Sequence, residues 1–122
     1  MGRQTRFDAD EVKIQEENGV LLVGFANGDG KYLLLQRTLS PSQQDKELGQ
    51  DQVHLELNDQ RYSTYGGISG YTTYSNRLIL EIVPEGAARI GSQATLEVSF
   101  NIPENELRML NEKLKELFVQ DV

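Results

Sequence analysis

The amino-acid sequence predicts an α+β fold, with a mostly antiparallel sheet of seven to eight strands, two short helices and a C-terminal helix packed on the sheet. Two observations lead to this prediction. Short alternating or apolar runs are separated by turns rich in Gly, Asn, Asp and Pro, a pattern typical of antiparallel strands. The stretch Pro103–Gln120 instead carries leucines at three- and four-residue spacing, which predicts one long amphipathic helix.

The first part of the chain predicts a three-stranded antiparallel meander. A loosely alternating, acidic run at Phe7–Glu17 is followed by Asn18-Gly19, the dipeptide most typical of a tight hairpin turn. The nearly continuous apolar run Val20–Ala26 predicts a buried strand, and Lys31–Thr38 predicts the strand that follows it.

A short helix is predicted directly after this meander. Ser40 is the expected N-cap, Pro41 suits the first helical position, and Gln43 would complete a capping box. Gly49 follows Leu48 and is a natural C′ residue, so we expect the helix to end near Leu48.

Three further strands and one more short helix are predicted from the remaining patterns. The strands are expected at Gln52–Asn58, Arg77–Val83 and Gln93–Asn101, because each alternates apolar and polar residues. In the last of them Ala94 is expected to face the core. Pro84–Ile90 begins with proline and precedes a glycine, which predicts one or two helical turns.

Length and composition limit the classes of protein to consider. The chain has 122 residues, so we expect a single domain over residues 1–122. It has no cysteine, which excludes disulfides and cysteine chemistry. Its formal net charge of −7 disfavours a nucleic-acid partner, which requires a clustered basic face. No segment has the length and apolarity of a membrane span or secretion signal, and we therefore expect a cytoplasmic protein.

The most unusual stretch is Arg61–Tyr74, which holds four tyrosines and three glycines. Glycine and threonine disfavour a helix, whereas tyrosine and threonine favour a strand. The stretch therefore predicts two short strands joined at Gly66-Gly67, after a turn at Asp59-Gln60. Two interpretations remain open: a strand pair with half-packed tyrosines, or a partner-binding surface.

A search for catalytic or metal-binding residues finds none that form a convincing group. His54, the single histidine, lies on the polar side of a predicted strand with only Glu56 as a neighbouring ligand type. Ser69 lies in G-I-S-G, which is not the nucleophile context of a hydrolase. We therefore expect no enzymatic activity, no metal and no cofactor.

A binding surface is better supported, because tyrosines among small polar residues resemble the adaptable binding surfaces of antibodies. Arginines flank the stretch and acids precede it, which favours a basic protein partner. Composition alone does not distinguish that partner from a second copy of the chain. The predicted partner-binding residues are Asp59, Arg61, Tyr62, Tyr65, Gly66, Gly67, Tyr71 and Tyr74.

Three segments of the chain form a recognisable set: Y-L-L-L-Q-R (Tyr32–Arg37), Q-D-K-E-L-G-Q-D (Gln44–Asp51) and H-L-E-L-N-D-Q-R-Y-S-T-Y-G-G-I (His54–Ile68). In this order they resemble the immunity protein 10 family of bacterial polymorphic toxin systems. The resemblance covers nearly the whole chain, from about Phe7 to the C-terminal helix.

The resemblance implies a small cytoplasmic protein, not an enzyme, that binds and occludes a cognate bacterial toxin domain. It implies no catalytic residues and no particular toxin. The excess of acidic residues in the chain agrees with a basic toxin. The oligomeric state, monomer or homodimer, stays open. Two other classes are considered: a small-molecule-binding domain that uses the local glycines, and a homo-oligomeric structural domain.

Overall fold

The computed structural model describes residues 4–48 and 52–118. Within these residues the chain forms nine strands and three helices, so the predicted α+β class is confirmed. The predicted strand count is too low, and the single predicted sheet is wrong, because the strands form two sheets. In chain order the elements are β1 (Gln4–Asp8), β2 (Glu11–Glu17), β3 (Val20–Ala26), β4 (Tyr32–Thr38), α1 (Gln43–Glu47), β5 (His54–Leu57), β6 (Asp59–Tyr65), β7 (Ile68–Tyr74), β8 (Arg77–Ile82), α2 (Pro84–Ile90), β9 (Thr95–Ser99) and α3 (Glu104–Phe118).

A five-stranded sheet contains β2, β3, β4, β5 and β6 in that order, and all neighbours are antiparallel. The predicted meander is confirmed, and Asn18 and Gly19 both have positive φ, 54° and 77°, as a primed hairpin turn requires. The turn predicted at Asp59-Gln60 is wrong, because those residues belong to β6. The chain turns at Asn58 instead, whose φ is 65°.

A four-stranded sheet has the order β1, β9, β8, β7, with β1 parallel to β9 and the other pairs antiparallel. The single strand predicted at Phe7–Glu17 is wrong, because the chain changes sheets in the middle of it. The Ala9 amide donates to Ser99 O in one sheet, and the Asp10 amide donates to Ala26 O in the other, each at 2.8 Å.

One hydrophobic core receives the inner faces of both sheets. The rings of Phe25 and Phe100 stack at 5.7 Å. The helix α3 adds the predicted leucine stripe, in which Leu110, Leu114 and Leu117 are completely buried. The other buried apolar side chains are Phe7, Leu21, Val23, Leu33, Leu35, Val53, Leu55, Leu57, Leu78, Leu80, Ile82, Ala87, Ile90, Leu96 and Val98.

The helix ends follow local capping chemistry. Ser42 caps α1, accepting from the Asp45 amide while the Asp45 carboxylate accepts from the Ser42 amide, so the prediction of Ser40 as the cap is wrong. The proposed C′ residue Gly49 lies outside the described residues. The prediction for α2 is confirmed, and Gly91 ends it with a φ of 67°.

The strand β9 differs from its predicted pattern. Ala94 is exposed and precedes the strand, so its predicted place in the core is wrong. Glu97 is buried on the outer side of the four-stranded sheet, where its carboxylate lies 3.4 Å from Arg6 Nε and 3.7 Å from Arg77 Nη1. The two ion pairs compensate the buried charge of Glu97. Because both guanidinium groups reach water, this face of the sheet is polar.

The strand β3 is apolar on both faces but covered on only one. Leu21, Val23 and Phe25 are buried in the core, whereas Val20 and Leu22 on the opposite face are partly exposed. The predicted burial of this strand is therefore confirmed for one face and wrong for the other. The outer face of the five-stranded sheet consequently carries apolar side chains that the fold leaves uncovered.

Candidate functional site

The tyrosine stretch forms two strands joined at Gly66-Gly67, as predicted, but these strands do not pair with each other. β6 pairs with β5 in one sheet, and β7 pairs with β8 in the other. The Gly66 amide donates to Val53 O and the Val83 amide donates to Gly67 O, each at 2.8 Å. The two glycines therefore carry the chain from one sheet to the other.

Both glycines are required by their backbone conformation. Their φ angles are 72° and 84°, in the left-handed region that disfavours side chains. A Cβ on Gly66 would lie 1.9 Å from Gln52 Oε1, and one on Gly67 would lie 3.4 Å from the Gly86 Cα. The left-handed backbone at both positions therefore explains the two glycines without a bound ligand.

The four tyrosines of the stretch do not form one surface. Tyr65 lies on the outer face of the five-stranded sheet, and Tyr74 lies on the four-stranded sheet beside Arg77, whose guanidinium is 4.4 Å from its ring centre. Tyr71 packs on the core, and its ring stacks on Phe118 at 4.4 Å. The predicted tyrosines therefore lie in two groups, Tyr62 and Tyr65 on β6 and Tyr71 and Tyr74 on β7.

One of these groups lies along β6, the edge strand of the five-stranded sheet. Asp59 Oδ2 is 3.2 Å from Arg61 Nη2, and the Arg61 guanidinium lies 5.5 Å from the centre of the Tyr62 ring. Hydrogen bonds from the backbone and side chain of Arg61 lower the pKa of Asp59, and the Asp59 carboxylate raises the pKa of Arg61. These residues present an aromatic ring and a fixed ion pair to solvent.

Tyr65 belongs to a cross-strand row on the outer face of the same sheet. The row runs from Tyr65 through His54 and Gln36 to Leu22, each residue opposite the next in register. The Tyr65 and His54 rings lie 4.8 Å apart. His54 is therefore a partly exposed member of an aromatic pair on this face, on the polar side of its strand as predicted.

A hydrogen-bonded pair, Tyr32 and Glu56, lies one row further along this face. The Tyr32 hydroxyl donates a 2.5 Å hydrogen bond to Glu56 Oε2. Partial burial and then this hydrogen bond raise the pKa of Tyr32 to about 12. The Tyr32 hydroxyl therefore stays protonated at physiological pH and can donate to Glu56.

A shallow groove runs along β3 on this outer face. It consists of a depression of about 400 Å³ beside Gly24 and one of about 250 Å³ beside Val20, and Leu22 lines both. Sequence reasoning missed the groove, although the nearly continuous apolar run of β3 was its signal. Such a run predicts a buried strand, but burial of both faces requires a covering layer that this fold lacks.

The catalytic and metal-binding candidates remain separate. Ser69 Oγ donates to Glu81 O at 3.3 Å in the four-stranded sheet, whereas His54 lies in the other sheet. Across residues 4–48 and 52–118 no three His, Asp or Glu side chains are grouped to hold a metal ion. In the same part of the chain, no helix has the length and apolarity to cross a membrane.

Comparison with known proteins identifies the family. A protein-family model described as Immunity protein 10 matches residues 8–108, a segment that contains β2 to β9 and reaches into α3. No curated protein matches the chain significantly. The match extends over most of the chain and agrees with the resemblance seen in its motifs. The chain belongs to the immunity protein 10 family.

Proposed function

We propose that this protein binds a cognate bacterial toxin domain and neutralises it by occlusion. The observation that carries the proposal is the family match over residues 8–108. The proposal includes a cytoplasmic location in the bacterium that makes the toxin, action without catalysis, and a monomer or homodimer as the active form.

The proposed contact surface is the outer face of the five-stranded sheet together with its β6 edge. Of the predicted residues it retains Asp59, Arg61, Tyr62 and Tyr65, which lie on one strand. Tyr62 and Tyr65 are 42% and 46% exposed, and large half-exposed aromatic side chains are common anchors in protein interfaces.

The other predicted residues are assigned structural roles in this proposal. Gly66 and Gly67 carry the chain between sheets, and Tyr71 stacks on α3. Tyr74 lies on the outer face of the other sheet, beside Arg77. One protein partner of standard size covers a single continuous face, so these residues are not expected to contact it.

The electrostatic balance supports a basic partner. The chain has a formal net charge of −7, which raises the rate of encounter with a positively charged protein. A toxin domain that acts on nucleic acid carries such a charge because it must neutralise phosphates. The toxin partner is therefore proposed to be basic.

Tyr65 and Tyr74 form a matched pair for testing this surface, because each is 46% exposed and they lie on different sheets. Tyr65→Ala should weaken binding to the toxin domain encoded beside this gene by about 30-fold, the loss of a ~2 kcal/mol anchor. Tyr74→Ala should change the dissociation constant by less than about twofold. Calorimetric titration of the purified proteins measures both.

Protection of cells tests the function itself. Co-expression of the wild-type chain should rescue cells from that toxin domain, and Tyr65→Ala should require more immunity protein for the same rescue. Failure of the wild type to protect or to bind would refute neutralisation. Equal losses for Tyr65→Ala and Tyr74→Ala would move the contact surface away from the five-stranded sheet.

A further inference from the structure

We infer that the groove along β3 is the site where the toxin domain inserts an apolar side chain flanked by basic ones. The inference rests on the proposed function, because the occupant is the toxin. It adds to the β6 edge a second contact region that the tyrosine pattern did not indicate. The evidence comes from the composition of β3, the shape of the groove and the charges on its walls.

The composition of β3 exceeds what the core requires. A strand with one buried face ordinarily alternates apolar and polar residues. In β3 the inner positions are filled by Leu21, Val23 and Phe25, yet the outer positions between them are also apolar or glycine. An uncovered apolar strip of this kind marks a surface that becomes buried in a complex.

The shape of the groove is set by Gly24 at the centre of its floor. A Cβ on this residue would lie 3.8 Å from Leu22 Cδ2 and 3.8 Å from Leu34 Cδ1, which is ordinary contact, and its φ is not positive. Neither backbone strain nor crowding therefore requires glycine here. Its effect is to leave an open depression between two leucine side chains, wide enough for an apolar side chain.

The walls of the groove are mainly acidic. Glu11 and Lys13 line the larger depression, and Glu17 lines the smaller one, where its carboxylate accepts a 2.7 Å hydrogen bond from Gln15 Nε2. Glu56 lies opposite Leu34 in register. Two carboxylates and one ammonium group thus line the groove, and the Glu56 carboxylate lies beyond it on the neighbouring strand β5.

This arrangement fits a basic protein segment. Glu11 and Glu17 lie at opposite ends of β2, about 20 Å apart at the rise of an extended strand, and Gly24 lies between them on the neighbouring strand. Cationic side chains at both ends and an apolar one in the middle would match the groove. A second copy of this chain fits poorly, because its own acids would face the acidic walls.

The groove and the β6 edge can contact one partner together. Leu22 and Tyr65 lie in the same cross-strand row, three strand spacings or roughly 14 Å apart. A standard interface covers about 800 Å² on each partner, which includes both features.

The test uses variants that fill the groove or place a charge in it, and neither variant changes a core residue. Gly24→Leu should fill the depression, and Leu22→Lys should place a positive charge against the basic segment. Each should lower affinity for the neighbouring toxin domain by at least about tenfold. Ile79→Lys is the matched control, because Ile79 is also a partly buried apolar residue on an outer face, but of the four-stranded sheet. It should change affinity by less than about twofold.

A charge-neutralising variant provides a second measurement that does not depend on packing. Glu11→Gln combined with Glu17→Gln should slow association at low salt and reduce its salt dependence, since the acids steer a basic partner. Thermal melting of all variants confirms that they fold. If either apolar variant fails to fold, the association rates of the charge variant decide the question.

The outcomes separate this inference from the proposed function. Wild-type binding with unaltered affinity in the folded groove variants, or with unaltered association in the charge variant, would overturn the groove assignment and leave toxin neutralisation standing. Absence of wild-type binding would overturn both. A self-association in sedimentation that Leu22→Lys abolishes would assign the groove to a homodimer and refute the toxin as its occupant.

Discussion

Gly67 shows how one residue connects the two sheets. Its φ of 84° lies in the left-handed region that L side chains rarely adopt, and an added Cβ would lie 3.4 Å from the Gly86 Cα. Gly67→Ala should lower the free energy of unfolding by about 1–3 kcal/mol. Urea denaturation of the purified variant measures this change.

Gly70 is the control for that measurement. It has no atom within 4 Å of its added Cβ and no positive φ, so Gly70→Ala should alter stability by less than about 1 kcal/mol. Equal destabilisation by the two substitutions would contradict the structural role assigned to Gly67.

Sequence reasoning succeeded for residues whose conformation depends on their immediate neighbours. Asn18-Gly19 and Gly91 were assigned correctly because a positive φ is a local property of those residues. The cap of α1 was misassigned to Ser40. Ser40 and Ser42 are both suitable caps. The Asp45 carboxylate decides between them, because it accepts from the Ser42 amide and completes the capping box.

At the scale of elements, α3 depends on the burial of its leucine stripe. Leu114 is completely buried, so Leu114→Ala should lower the free energy of unfolding by about 2–5 kcal/mol. Met109 on the same helix is 52% exposed, and Met109→Ala should change it by less than about 0.5 kcal/mol. Thermal and urea unfolding of both variants measures the difference, and similar losses would contradict the packing of α3.

The pairing of strands was the least predictable feature of the elements. The two strands of the tyrosine stretch were located correctly, but β6 and β7 joined different sheets because their best partners, β5 and β8, are those that complete each apolar face. The parallel pairing of β1 with β9 brings together residues from opposite ends of the chain. Local patterns carry no signal for such contacts, whose formation depends on the whole core.

On the scale of the whole molecule, the two outer sheet faces differ in chemistry. The four-stranded sheet has an ion-pair row of Arg6, Glu97 and Arg77, in which the buried carboxylate has two cationic partners. The five-stranded sheet has an apolar groove with acidic walls and the exposed Tyr65. The second face combines a partly exposed apolar strip with an excess of acidic side chains, and both features are common in protein interfaces.

The most direct test of this account is a methyl NMR titration of the labelled protein with the proposed partner, the toxin domain encoded beside its gene. The account predicts that the methyl signals of Val20, Leu22 and Leu34 shift or broaden on binding, whereas those of Ile79 stay in place. These residues occupy the outer faces of the two different sheets. Perturbation of Ile79 with unchanged signals from the three groove residues would contradict docking on the five-stranded sheet.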